Sequence, residues 1–188
     1  MRRSLLVFVE GAVTEEEYLN HIRRAHRETV TVQFGDPRGT PMALVKAAVA
    51  AKKESDRDSK RRRGRAYDEV WCVFDVDEHP FLEDAISLAS DHGVNLAISS
   101  PCVELWFILH FADQSAYIER HDAQRVAESH LGCRKSLTPA ALSMLEPRYE
   151  EAKSRAQALE AKHKGDGTPT PANPSSGVWQ IVESIKRP

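Results

Sequence analysis

The stretch that decides the fold is residues 69–77, which read Glu69-Val70-Trp71-Cys72-Val73-Phe74-Asp75-Val76-Asp77. The residues between the first glutamate and the first aspartate are all apolar, and most of them are β-branched or aromatic. A continuous apolar run of this length is typical of a strand covered on both faces, as in the middle of a parallel sheet. We therefore predict a central parallel strand that ends at two aspartates.

The segments around this strand alternate between strand and helix patterns. We predict further strands at residues 4–9, 29–34 and 94–98, and helices at residues 14–27, 41–53 and 81–92. Thr14 is the predicted N-cap of the first helix. The alternation predicts an α/β fold with right-handed crossovers and a mainly parallel sheet of about four strands flanked by helices.

Three helices are predicted in the second half of the chain, where the composition changes. Residues 103–111 form an apolar run that indicates a buried helix, and residues 139–164 are rich in Ala, Glu, Lys and Leu, which favours a long solvent-facing helix. A short helix at residues 178–185 closes the chain. We predict a core domain at residues 1–135 and a helical C-terminal extension at residues 136–188 that packs on it.

Two polar stretches are predicted to be irregular. Residues 54–65 are polar throughout and contain no apolar residue that would anchor them to a core, and we interpret them as a mobile loop. Residues 165–177 are rich in Pro, Thr, Ser and Gly and predict a linker.

The composition indicates an ordinary globular protein. A chain of 188 residues with 41% apolar content can bury one core of normal size. Its three cysteines match neither a zinc site nor a disulfide framework, which favours a reducing compartment. No segment has the pattern of a secretory leader or a membrane helix, so we expect a cytoplasmic protein. The net charge of −2 does not by itself indicate nucleic-acid binding, because basic residues act as patches.

Carboxylates follow two of the predicted strands directly. Glu10 comes after the first strand, and Asp75 and Asp77 come at the end of the central one. In open parallel sheets, chemistry gathers at the carboxyl ends of the strands, and Asp75 and Asp77 at i and i+2 project to the same side. Such acids suit a Mg²⁺ site. The alternative is structural, since acids after strands are common turn formers and helix N-caps.

Further polar residues lie in unusual surroundings. Glu104 stands in an apolar run, where a carboxylate needs a cation, a metal or hydrogen-bond donors, and His110 in the same run is more often a core histidine than a catalyst. The basic run Lys60-Arg61-Arg62-Arg63 is a candidate for binding a phosphate backbone, with a solvated loop as the alternative.

Several strings resemble a known family. They are Val9-Glu10-Gly11 with Thr14-Glu15 and Tyr18, the string from Tyr67 to His79, and Ser99-Ser100-Pro101-Cys102-Val103-Glu104-Leu105-Trp106 with His110-Phe111. They are similar to the RloB-like family, whose members are found beside ATPases in bacterial defence and restriction loci and are related to the topoisomerase-primase (Toprim) fold. The resemblance also includes Asn173-Pro174-Ser175-Ser176. It implies a Toprim-like fold for this chain.

The resemblance also implies roles for the acids. Glu10 corresponds to a general acid/base and to a metal-site residue, and Asp75 with Asp77 corresponds to a metal-binding pair. Mg²⁺ is the implied cofactor, for which Mn²⁺ can substitute.

Other positions match the family with less defined roles. Glu104 is expected to take part in catalysis and Lys135 to bind substrate, with Glu15, Glu78 and Ser100 as accessory residues. The family usually has Asn where this chain has Ser100 and Phe where it has Val103, and neither difference removes a carboxylate.

The implied function is that of a metal-dependent endonuclease acting on DNA or RNA. The resemblance adds a role in anti-phage defence by abortive infection, with a partner ATPase of the AAA or ABC type that is encoded nearby. An oligomer is compatible with the sequence, and no membrane partner is expected. The alternative is a regulatory module that binds nucleic acid or the ATPase without cutting.

Overall fold

A computed structural model describes residues 2–11, 13–36, 38–76 and 81–187. Asp77 and Glu78, both predicted site residues, lie outside the described residues. The strands are β1 (Arg3–Val9), β2 (Val30–Phe34), β3 (Glu69–Asp75), β4 (Asn95–Ser100) and β5 (Ser175–Ser176).

The strands of the described residues form one sheet in the order β2-β1-β3-β4-β5. β1 is parallel to both β2 and β3, while β5 is antiparallel to β4. This mostly parallel sheet confirms the predicted α/β class and is consistent with a Toprim-like fold.

Helices separate the strands and form most of the second half of the chain. They are α1 (Thr14–Ala25), α2 (Pro41–Lys60), α3 (Leu82–Asp91), α4 (Glu104–Leu109), α5 (Arg120–Leu131), α6 (Pro139–Leu145), α7 (Tyr149–Gly165) and α8 (Val178–Lys186). None of the helices in the described part of the chain is both long and apolar enough to cross a membrane.

The chain divides into two compact units. The first contains residues 1–73, 79–97 and 181–188, and the second contains residues 74–78 and 98–180. β3 and β4 therefore each supply residues to both units. The predicted division into residues 1–135 and 136–188 stays a prediction.

The core of the first unit is built on β1, which is buried from Leu5 to Val9. The tight approach of Gly35 to Phe8 shows how closely this core is packed. A Cβ atom at Gly35 would lie 2.4 Å from the Phe8 ring, so only glycine fits there without a shift of the core.

A polar network fixes the closing helix within the first unit. Ser184 of α8 donates a hydrogen bond to the Glu69 carboxylate, Arg3 forms an ion pair with it, and Trp71 donates to it at 2.7 Å. Burial alone would raise the pKa of Glu69, but the bonds from Ser184 and Trp71 and the charges of Arg3 and Arg187 lower it below its usual value. The carboxylate therefore stabilises the folded state in its charged form.

The core of the second unit is built on α4. Leu105 to Leu109 are all buried, and α5 and α7 pack against this helix. His110 follows it, and its Nδ1 donates to the Trp106 carbonyl at 2.8 Å. Burial is the main reason why the pKa of His110 falls to about 4, so this residue is a neutral core histidine.

Two predicted irregular segments are partly regular. Residues 54–60, predicted as loop, are the last turns of α2. Ser55 in this segment accepts a hydrogen bond from the Tyr67 N–H at 3.0 Å, so a contact with the chain beyond the helix helps to hold it. Within the predicted linker, Ser175 and Ser176 form β5, which pairs with Ser100 and Ser99. Within the described ranges the sheet therefore has five strands rather than about four.

Two helix predictions were also wrong in detail. The long helix predicted at residues 139–164 is broken into α6 and α7 by a 3-10 turn at Glu146–Arg148, because Pro147 has no N–H to continue the helix. Thr14 is not the N-cap of α1. That position belongs to Val13, which makes no side-chain cap, and Thr14 is the first helical residue.

Candidate functional site

The carboxylate of Asp75 stands at the carboxyl end of β3. Asp75 is the last residue of the strand and is only 9% exposed. The chain stays paired just beyond it, since the Val76 N–H donates to the Ser99 carbonyl at 2.7 Å. An acid buried at this position is costly unless charge or hydrogen bonds compensate for it.

That compensation includes an arginine from a distant part of the chain. Arg120 is the first residue of α5, and its Nη2 lies 3.2 Å from Oδ2 of Asp75 and 3.4 Å from the Pro101 carbonyl. The Arg120 side chain is 32% exposed and that of Asp75 is 12% exposed. A guanidinium this close holds the carboxylate in a fixed orientation.

A buried thiol joins Asp75 to Glu104. Burial raises the pKa of Cys102, and the negative charge of the Glu104 carboxylate raises it further. The thiol itself lies 4.0 Å from the Arg120 carbonyl. The charge of Asp75 also raises the pKa of Cys102, whereas the charge of Arg120 lowers it. Cys102 is therefore a neutral donor rather than a nucleophile. We call Asp75, Cys102, Glu104 and Arg120 the Asp75 cluster.

A cleft of about 520 Å³ adjoins this cluster through Glu104. We call it the α5 cleft, and its lining residues are Glu104, His121, Gln124, Arg125, Glu128, Arg134 and Lys135. Three of these side chains are basic and two are acidic. The cleft therefore has more basic than acidic side chains, and it contains both hydrogen-bond donors and acceptors.

The geometry of α5 explains why one helix supplies so much of the lining. Ala123, Ala127 and Leu131 are buried and recur every four residues, so this face packs inward. The residues at 121, 124, 125 and 128 then lie together on another face. Gly132, with φ of 68°, ends the helix in the left-handed conformation and leads the chain to Arg134 and Lys135.

The arginines of the cleft already have carboxylate partners. Arg134 lies 2.8 Å from Glu128 and Arg125 lies 2.8 Å from Asp122, and both arginine side chains are largely exposed. The hydrogen bond and charge of Glu128 raise the pKa of Arg134 above its usual value. Exposed pairs of this kind are weak, so a stronger anionic ligand can replace the carboxylate.

The first unit contains the other predicted acids. Glu10 follows β1, and its N–H donates to the Val73 carbonyl at 3.0 Å. Glu15 on α1 is buried, and its carboxylate lies so close to Gly11 that a Cβ there would be 2.3 Å from Oε2. Arg38 donates to the Gly11 carbonyl at 3.3 Å and forms an ion pair with Glu16.

The remaining predicted residues are not among those that line the α5 cleft. Lys60 ends α2, and it and Arg61 to Arg63 are exposed in the first unit. Ser100 is buried in β4 and pairs with Ser175. The structure thus brings together Asp75, Glu104 and Lys135 around one region of the second unit, and the roles of all these residues stay predictions.

The described residues contain no group of three or more His, Cys, Asp or Glu side chains placed to hold a metal ion. Because Asp77 and Glu78 fall outside this set, the predicted Mg²⁺ site stays a prediction. The three cysteines, Cys72, Cys102 and Cys133, are free thiols.

Comparison with known families extends over nearly the whole chain. The family model of RloB-like proteins matches residues 5–185. The chain belongs to the RloB-like family. No curated protein matches this RloB-like protein.

A solved structure that matches is a complex of a UDP-glucosyltransferase from Polygonum tinctorium. It is 16% identical, the alignment covers 92% of the RloB-like chain and 51% of the enzyme, and the TM-score is 0.30. The chain thus spans about half of that enzyme, and a likeness this low carries no argument about fold or function.

Sequence reasoning missed several residues of the site in this RloB-like protein. Arg120 and Cys102 were not predicted, and neither was helix α5 with Gln124 and Arg125. One signal was available: polar residues at 121, 124, 125 and 128 recur at helical spacing opposite small apolar ones. The contact of Arg120 with Asp75 has no local signal, since 45 residues separate them.

Proposed function

We propose that this RloB-like protein is a metal-dependent nuclease that hydrolyses phosphodiester bonds of DNA or RNA. The observation that best supports this proposal is the buried Asp75 carboxylate at the carboxyl end of a parallel strand, clustered with Glu104 beside a basic cleft. Acids gathered at a strand end next to phosphate-binding cations are the parts that metal-assisted phosphodiester cleavage needs.

Mg²⁺ is the proposed cofactor. This ion takes oxygen ligands, usually one or two carboxylates from the protein, and keeps several waters. Asp75 offers one such carboxylate, and we propose Asp77 as the second. When bound, Mg²⁺, or Mn²⁺ in its place, would polarise the phosphoryl oxygen and stabilise the leaving alkoxide.

The protein's own residues then have separate tasks. Arg120 orients the Asp75 carboxylate through the contact at 3.2 Å. Glu10 is proposed to transfer a proton at the reacting oxygen or to join the metal site. Lys135 is proposed to hold a phosphate oxygen in the α5 cleft, and the exposed basic run Lys60–Arg63 to contact the backbone elsewhere by charge.

The biological setting proposed is anti-phage defence by abortive infection. Family members are found beside ATPases, and we propose that an ATPase partner of the AAA or ABC type restrains the nuclease until infection. Control of this kind is physically reasonable, since an unrestrained nuclease would damage its own host.

The test is a cleavage assay with purified protein on plasmid DNA and on total tRNA, with Mg²⁺ or Mn²⁺. The variants are Asp75→Asn and Glu10→Gln, which remove one charge each without changing size. Asp84→Asn, on the exposed face of α3, is the matched control. Cutting by the wild type and the control that both site variants lose would support the proposal. If no substrate is cut, even with the neighbouring ATPase added, the nuclease proposal fails.

A second function is favoured by one observation. Asp75 already has a cationic partner in Arg120, as a purely structural acid would. A binding module that engages nucleic acid or the ATPase without cutting would keep such an ion pair for stability alone. Cellular defence that survives Asp75→Asn would favour this second function.

A further inference from the structure

We infer that the α5 cleft binds one unpaired nucleotide, so that the substrate is single-stranded rather than duplex nucleic acid. This inference rests on the proposed action on nucleic acid and adds the strand state of the substrate. It concerns residues of the second unit alone.

The first argument is size. The cleft has a volume of about 520 Å³, within the range of about 300–1,000 Å³ in which proteins hold a single small molecule. A base with its sugar and phosphate fits such a volume, whereas a base pair with both backbones does not. Recognition of nucleic acid in such a cleft requires a base that is unstacked and turned out of a helix.

The second argument is the distribution of charge. Arg125, Arg134 and Lys135 line the cleft together, and the two arginines are paired with carboxylates, of which Asp122 is exposed and Glu128 is partly exposed. A phosphate offers two or more oxygens to a guanidinium in a fork geometry, which is stronger than an exposed pair with a carboxylate. Phosphate is therefore the anion best suited to replace these partners.

The third argument is the presence of neutral and acidic groups among the cations. Gln124 carries both a donor and an acceptor, and Glu104 and Glu128 accept hydrogen bonds from amino groups. These groups suit the edge of a base rather than a second phosphate. A site for inorganic phosphate alone would not need them.

The fourth argument is position. Glu104 lines the cleft, and its charge also acts on Cys102 in the Asp75 cluster. A nucleotide held by Gln124 and Lys135 would therefore place its backbone beside the acids that the proposed reaction needs. Specificity for an unpaired nucleotide would then be built into the same unit as Asp75.

The test measures binding without cleavage. A fluorescein-labelled oligonucleotide, in DNA and in RNA form, is titrated by anisotropy in EDTA, both as a single strand and annealed to its complement. Variants are Lys135→Gln and Arg125→Gln in the cleft, with Lys164→Gln on the exposed face of α7 as the matched loss of charge. Circular dichroism checks that each variant is folded.

We expect the single strand to bind about tenfold or more tightly than the duplex, and each cleft variant to weaken its binding about tenfold. Each variant should also reduce the slope of log K against log salt by about 0.7, the value for one phosphate contact on a single strand. Lys164→Gln should leave both quantities unchanged. A difference between the DNA and RNA forms would identify the sugar that the cleft prefers.

Equal or tighter binding of the duplex would overturn the inference, as would equal effects of Lys164→Gln and the cleft variants. Because the assay contains no metal, its outcome is independent of catalysis. If the single strand binds through the cleft but nothing is cut, the nuclease proposal is rejected and the inference about the cleft is kept. Cutting that does not depend on the cleft residues would keep the nuclease proposal and reject the inference about the cleft.

Discussion

The substitution Arg120→Gln removes a guanidinium that lies 3.2 Å from the buried carboxylate of Asp75. Exposed ion pairs contribute up to about 1 kcal/mol, and removing one partner of a fully buried pair costs about 3–5 kcal/mol. With side-chain exposures of 12% for Asp75 and 32% for Arg120, this pair lies between the two limits. We expect the variant to lose about 2 kcal/mol of unfolding free energy, or about thirtyfold in the folding equilibrium.

A double-mutant cycle isolates the interaction from other effects of each change. The four proteins are the wild type, Arg120→Gln, Asp75→Asn and the double variant, unfolded in urea with EDTA and followed by circular dichroism. The expected coupling energy is about 1–2 kcal/mol, because the double variant leaves no charge uncompensated. A coupling below about 0.3 kcal/mol, which is within the error of additivity, would refute the claim that Arg120 holds Asp75.

The same variant tests whether Asp75 can bind a cation. Without Arg120 the carboxylate has lost a competing positive partner, so added Mg²⁺ should stabilise Arg120→Gln more than the wild type. The Asp75→Asn variant should not respond in this way. Equal responses of all three proteins to Mg²⁺ would mean that Asp75 is structural.

Three further predictions concern stability. Because the pKa of His110 is lowered from 6.5 to about 4 in the folded protein, the unfolded chain binds a proton at this residue first as pH falls. The free energy of unfolding should therefore decrease by about 3 kcal/mol between pH 6.5 and pH 4. Urea unfolding across this range should show a smaller decrease for His110→Gln. The pKa of Glu69 is lower in the folded protein than its usual value of 4.5. The Glu69 carboxylate therefore contributes to the free energy of unfolding above pH 4.5, and this contribution disappears as pH falls through the pKa of the folded state. Glu69→Gln should therefore destabilise at pH 7 by about 1–2 kcal/mol and much less at pH 3. Gly35→Ala should cost about 1–3 kcal/mol in thermal or urea unfolding because of the contact with Phe8, whereas Gly64→Ala, with nothing within 4 Å, should change stability by less than about 0.5 kcal/mol.

The central strand and the acid at its end were predictable because their signal is local. A strand covered on both faces requires a continuous apolar run, and residues 70–74 provide it. Asp75 then marks the point where burial of apolar side chains stops. The same reasoning placed Glu10 directly after β1.

Helix α5 could not be predicted in the same way. Its buried face consists of Ala123, Ala127 and Leu131, and small side chains give a weak apolar period. The helix is defined by how it packs against α4, which is a tertiary effect. The residues that line the α5 cleft depend on this packing, so most of them had no reliable signal in the sequence.

The errors in helix length have simpler causes. α2 continues to Lys60 although its last turns are polar, and the hydrogen bond from the Tyr67 N–H to Ser55 is a non-local contact that the local pattern does not show. The segment after residue 139 is divided because of Pro147, a local signal that was overlooked. The short strand β5 is formed by two serines and depends entirely on its pairing with β4.

The measurement that tests the central claim most directly is the single-turnover rate of Mg²⁺-dependent cleavage by the wild type and by Asp75→Asn. The assay uses whichever of plasmid DNA or total tRNA the wild type cuts, with Asp84→Asn as the control. We predict that Asp75→Asn lowers the rate by about 100-fold or more while the control retains the wild-type rate. Equal rates for the wild type and Asp75→Asn would contradict the account, because the buried strand-end carboxylate would then take no part in the reaction.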